Sequence, residues 1–312
     1  MTLSFNNEKM RPVRAVLAIL IVLGHFSYFM EGGFVKGMRM AAPASVAFFL
    51  FISGYGLTCS MRTKGVSYLK RFPQSKLIRI VLPALLVCFL HVLLCGNGGV
   101  SLLSRIGLVF SCGNTLLPHY WFVWAILFDY LLFYFSWRLF PQRWTKYMIL
   151  AGVIVFLLVT MFRGFDRCWW MCALSFPAGI FFSEFEQPLF SFVGRRESRY
   201  WLSLFVLALL FVGLYLVPVL WIRTLAFAIS PFFLALCVAR LPIDRMHLPV
   251  LSFLGAISYE IYLSHITIMS FLRGDVVLIS YRNIYVVVVF ALTFLIAWLI
   301  HLLCDRLLKR AQ

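Results

Sequence analysis

The chain has 312 residues, of which 63% are apolar and only 12% charged, with a mean hydropathy of +0.95 and a net charge of +17. Those proportions exclude a soluble domain of this size and define a polytopic membrane protein. The basic excess does not indicate nucleic acid, because Lys and Arg are spaced between long apolar runs as in membrane loops.

Ten apolar windows follow one another at 13–30, 41–61, 77–95, 118–139, 147–162, 168–184, 201–217, 220–239, 250–272 and 284–304. The expected fold is an all-α bundle of about ten transmembrane helices forming one domain over residues 1–312. In the first window, RAVLAILIVLGHF carries Arg14 and His25. A helical rise of about 1.5 Å per residue separates them by roughly 16 Å, one near a membrane surface and the other past the midplane. Ionisable groups at those depths are expensive and point to function. No small-residue cleavage site follows this window, so it reads as an uncleaved span.

The second window contains FFLFISGYGL (48–57), whose small residues suit close helix packing. After it, residues 62–79 concentrate six basic residues, a topology signal and a site for anionic groups. The connection at 96–117 is amphipathic, and the fourth window opens on His119, Tyr120 and Trp121, a composition typical of an aromatic belt. The fifth and sixth windows are short, and Glu184 at the end of the sixth and Glu186 just beyond it are expected to reach water. Pro218 alone divides the seventh from the eighth. The ninth holds Tyr259, Glu260, Tyr262 and His265, while His91 and His301 read as structural residues without companions. The eight Cys show no metal-ligand spacing and no metal is expected; Cys112 and Cys168 fall near the outer face as a candidate pair.

With the N-terminus cytoplasmic, segments on the inner side hold 20 of the 28 Lys and Arg residues and outer segments hold 8. That asymmetry follows the positive-inside rule, and an even span count returns the C-terminus to the cytoplasm.

Five of these elements, in order, resemble the membrane-bound acyltransferase 3 family, many of whose members acetylate extracytoplasmic glycans. Arg14 and His25 are similar to its Arg-x10-His signature, and FFLFISGYGL to its FFxxSGY element. Lys76, Arg79 and Pro83 in KLIRIVLP resemble its basic approach to the third span. HYWFVWAI from His119 is similar to its HxWF element, and ISYEIYLSH (257–265) to its SYxIYLxH element. Many relatives place an Asp just ahead of the FF pair, where this chain has Val46 and Ala47.

The resemblance implies an O-acyltransferase that moves an acyl group, acetyl first among them, from cytoplasmic acyl-CoA to a hydroxyl of an extracytoplasmic glycan or lipid-linked saccharide. The setting would be the bacterial cytoplasmic membrane. On the residues themselves, His25, His119 and His265 fall on one side of the midplane, and Arg14, Arg71, Lys76 and Arg79 on the other, where a phosphate-bearing donor approaches. His25 is the expected general base or acyl carrier, supported by Arg14. Ser53, Tyr55 and Trp121 are expected to line a passage, Glu260 and His265 to orient partners or stabilise charge, and Tyr259 to support the site as a packing residue with a polar tip. The alternative is an exporter of polysaccharide or another anionic solute, which predicts paired Gly/Pro-broken helices in two related halves. No such repetition is visible.

Overall fold

A computed structural model of the protein describes residues 3–32, 37–38, 41–96, 104, 108–109, 111, 113, 117, 120–243, 246–274 and 277–310. The expected connection at 96–117 lies largely outside these residues, and Cys112 and His119 lie wholly outside them. Helix α1 spans Asn7–His25 and runs on into a 3-10 turn, Phe26–Tyr28. It is followed by α2 (Ala41–Lys64), α3 (Val66–Phe72), a π-turn (Pro73–Leu77) and α4 (Ile78–Cys95). Next come α5 (Trp121–Leu139), α6 (Gln142–Phe162), α7 (Cys168–Met171) and α8 (Ser175–Gly194). The chain continues through α9 (Glu197–Leu216), α10 (Leu220–Arg240), α11 (Pro249–Ala256), α12 (Ser258–Phe271) and α13 (Arg282–Arg310). Among the described residues the β-type pairing is confined to an isolated bridge between Arg273 and Leu278.

Eight of these segments are long and apolar enough to cross a bilayer: α1 with its turn, α2, the continuous α3–α4, α5, α6, α9, α10 and α13. Large side chains on them face outward, including Phe89, Leu93, Phe205, Leu209 and Val287, each 61–70% exposed. Such faces suit hydrocarbon, and helices keep their backbone hydrogen bonds internal there. The chain is an all-α polytopic membrane protein.

Two of the ten expected windows differ. The window at 168–184 resolves into α7 and the first half of α8, a helix that also carries Glu184, Glu186 and Pro188. The window at 250–272 is interrupted at Ile257, whose φ of −103° and ψ of 17° leave helical geometry and divide α11 from α12. At Pro218 the chain does break into two helices, because the preceding Val217 is driven to extended geometry (ψ 126°). The short connection lets α9 and α10 pack along one another.

The contacts cluster in two units. The first comprises Met1–Met10, Pro43–Pro73 and Ala125–His247. Here α2 and α8 cross at two glycines. A Cβ on Gly54 would lie 2.2 Å from the Phe176 carbonyl oxygen, and one on Gly179 would lie 1.9 Å from that of Phe51. Around the crossing, Phe5, Phe48, Phe51, Phe182 and Phe232 stack edge to face or offset. In α10, Pro231 removes the N–H that the Phe227 carbonyl would accept. The hydroxyls of Ser175 (3.1 Å) and Ser230 (3.2 Å) donate to that carbonyl instead. Glu184 and Glu186 are half-buried rather than freely hydrated. Glu184 pairs with Lys146 and with Arg62 at 3.4 Å, and Glu186 accepts from the Tyr55 hydroxyl at 2.7 Å.

The second unit comprises Arg11–Ala42, Gln74–Trp124 and Leu248–Gln312. Its centre is α12, buried from Glu260 to Met269 and packed against both α4 and α13. Helix α11 meets α1 at Gly255, where a Cβ would fall 1.8 Å from the Arg11 carbonyl oxygen.

Candidate active site

Four polar side chains leave α12 in different directions, all within the second unit. The Tyr259 hydroxyl donates to the Ile80 carbonyl at 2.9 Å, next to the Arg79 carbonyl that Pro83 deprives of its helical donor. Glu260 Oε1 lies 2.9 Å from His301 Nδ1, and Thr267 Oγ1 lies 3.2 Å from His91 Nδ1. His265, 1% exposed, places its Nε2 at 3.2 Å from Nδ1 of His25.

The tautomers of the last pair follow from the carbonyls beside it. A carbonyl oxygen only accepts, so each ring nitrogen held by one must carry hydrogen. His25 Nδ1 lies 2.8 Å from the Ile21 carbonyl, and His265 Nδ1 lies 2.6 Å from that of Tyr262. Both Nδ1 atoms are therefore donors in the neutral pair, and both Nε2 atoms bear lone pairs. The His25 Nδ1–H is shared between Ile21 and His265 Nε2, which leaves His25 Nε2 as the basic nitrogen. Tyr28 stacks on the His25 ring at 5.8 Å, and Tyr262 stands 5.8 Å from that of His265. Such a pair can take a proton at one ring and spread the resulting charge over the other through a preformed hydrogen bond.

The Glu260–His301 pair is extended by Asp305, whose Oδ2 lies 3.7 Å from His301 Nε2. His301 is thus not the solitary structural residue that its isolation in the sequence suggests, and neither is His91. Glu260 turns to His301 on α13, so it orients that ring rather than His265. Along α12 the two pairs are separated by about 7.5 Å of helical rise. The signal that could have found His301 is the general expense of an ionisable group in an apolar run, which requires a partner.

Other expected site residues divide between the units. Arg14 is half-buried in the same unbroken helix as His25, and Lys76, Arg79, Trp121 and Tyr259 also belong to the second unit. Lys76 is half-buried in the π-turn, and Arg79 is exposed in the first turn of α4. Ser53, Tyr55 and Arg71 belong to the first unit. There Ser53 and Tyr55 flank the Gly54 crossing, Tyr55 is held by Glu186, and Arg71 is exposed near the end of α3.

A helical membrane protein with a part-buried histidine couple, one member at the end of its first helix, is the class that fold and site define. The sequence profile of a family described as an acyltransferase domain matches residues 11–302. The chain belongs to that family, acyltransferase 3, and is a membrane acyltransferase. Neither the curated proteins nor the solved structures searched contain a match to it.

Proposed function

We propose that the protein transfers an acyl group, acetyl in the first instance, from cytoplasmic acyl-CoA to a hydroxyl of an extracytoplasmic envelope glycan or lipid-linked saccharide. It would act as a single functional domain in the bacterial cytoplasmic membrane, with both termini cytoplasmic. The observation that carries this reading is the His25–His265 couple, which presents one basic nitrogen backed by a hydrogen-bonded ring. His25 Nε2 takes the proton of the acceptor hydroxyl as its oxygen attacks the thioester carbonyl carbon. His25 becomes imidazolium, and its Nδ1–H bond to His265 strengthens as charge develops. When the tetrahedral intermediate collapses, the C–S bond breaks and the proton passes to the departing sulfur. Proton and electron pairs then balance with no further reactant.

Arg14, Lys76 and Arg79, all of the second unit, are assigned to the phosphates of the donor, because guanidinium and ammonium groups match phosphate oxygens. Trp121 and Tyr259 of the second unit are assigned to the substrate passage. The test compares the purified wild type with His25→Ala in nanodiscs, measuring acetyl-CoA binding and thioester consumption with envelope glycans. Saturable binding by both, with turnover lost only in the variant, supports the reading. Absence of acyl-CoA binding and of turnover in the wild type overturns it.

A further inference from the structure

We propose that Arg273 and Arg282 form an anion-reading site that selects acceptors bearing a carboxylate or a phosphate. The proposal rests on the acyl-transfer reading above, whose acceptor it narrows to an anionic saccharide.

Within the second unit, the guanidinium of Arg273 lies 4.5 Å from the Tyr285 ring centroid. Its Nε is buried and has no hydrogen-bond partner among the described residues. Tyr285 itself is fully buried, donates to the Met269 carbonyl at 3.1 Å, and meets the Phe26 ring edge to face at 5.9 Å. Phe26 follows His25 directly, so the platform beneath Arg273 is packed against the residue next to the basic nitrogen. Arg282 precedes Tyr285 by three residues on α13, which puts both on one helical face within a turn. Its terminal nitrogens lie over Gly32, where a Cβ would meet them at 3.2 Å and where φ is +145°.

One guanidinium thus lies on the Tyr285 ring, and the other belongs to a residue one turn earlier on the same helix. Among the described residues neither forms an ion pair. A buried donor without an acceptor is unfavourable, and an anion relieves it. Both belong to the minority of basic residues on the proposed outer side, so topology does not account for them. The helix carries the chain about 9 Å from His265 to its end at Phe271, and Arg273 follows two residues later, a span that a short oligosaccharide bridges. An acceptor hydroxyl at His25 and an anionic group at Arg273 would then be engaged together, with the planar fork of arginine matching either carboxylate or phosphate.

The test uses the full chain in nanodiscs of neutral lipid, with Arg273→Gln, Arg282→Gln and the charge-conserving Arg273→Lys, each checked by size exclusion and thermal unfolding. Three oligosaccharides are compared: one bearing a uronate, its carboxyl-reduced neutral counterpart, and one bearing a phosphate monoester. Direct binding and acetyl transfer are both measured. The expected result is that the Gln variants weaken binding and raise KM for an anionic oligosaccharide by about 10- to 100-fold. The neutral compound and acetyl-CoA should be unaffected, with Arg273→Lys falling in between. The uronate and phosphate arms identify which anion is read. Equal use of neutral and anionic compounds by the wild type, or equal losses for both in the variants, overturns the proposal. So does complete competition by added phosphatidylglycerol, which makes the anion a lipid headgroup. Arginine-dependent binding without any acyl-CoA turnover retains the anion site while rejecting the acyltransferase reaction, so the two failures are separable.

Discussion

His265 Nε2 approaches His25 Nδ1 to 3.2 Å across 240 residues of chain, and both Nδ1 hydrogens are committed by backbone carbonyls. The direction of that hydrogen bond makes the two histidines unequal: in the proposed reaction His25 is the base and His265 the acceptor that supports it.

Removing each should reveal the inequality. His25→Ala is expected to lower kcat for acetyl transfer by about 100- to 10,000-fold, the range for loss of a positioned base. His265→Gln, whose amide oxygen can still accept from Nδ1–H, should retain more activity than His265→Leu at equal expression and unfolding temperature. Identical rates for Gln and Leu would remove the supporting role from His265.

The Glu260–His301 pair should behave as a coupled unit. Glu260 is 6% exposed, so His301→Leu leaves its carboxylate poorly compensated. Allowing for the partly exposed imidazole, a destabilisation of about 1–3 kcal/mol is expected. Adding Glu260→Gln to His301→Leu should recover much of it, as read by a double-mutant cycle on unfolding in detergent. Strict additivity would mean that the pair contributes no coupling.

Ser175 and Ser230 back each other up at one carbonyl. Either Ser→Ala change alone leaves a donor to Phe227, whereas the double change leaves the carbonyl unsatisfied and should cost about 1–3 kcal/mol. Replacing Pro231 with Ala in the double variant restores the missing N–H. Thermal unfolding should recover; if it does not, the hydroxyls serve some purpose other than this carbonyl.

The glycine crossing predicts a stability effect without a chemical one. Gly54→Ala or Gly179→Ala drives a methyl into backbone oxygen, so α2 and α8 must separate, at a cost of about 1–3 kcal/mol. The melting temperature should fall while KM for acetyl-CoA in the surviving folded fraction stays constant. A wild-type melting curve would show that the helices part freely at this point.

Much of this arrangement is legible in the chain because lipid imposes simple rules. Apolar length locates most helices, and Pro218 signals its break through the constraint on Val217. Placing His25 and His265 on one side of the midplane needs only depth along two helices. Depth carries no information about which helices touch. The partnership of Glu260 with His301, 41 residues away, and that of His91 with Thr267 therefore escape the sequence. Hydropathy is equally blind to the interruption at Ile257, since an apolar residue that leaves helical geometry has the same transfer energy as one that keeps it.

That interruption bears on how the protein is made. Neither α11 nor α12 is among the helices long and apolar enough to span on their own, and α12 carries Glu260 and His265 besides. During synthesis such a segment gains little from partitioning into lipid alone, and its carboxylate meets His301 only after most of α13 has been translated. The helix that bears the proposed chemistry is thus one whose residence in the membrane depends on a helix that follows it in the chain.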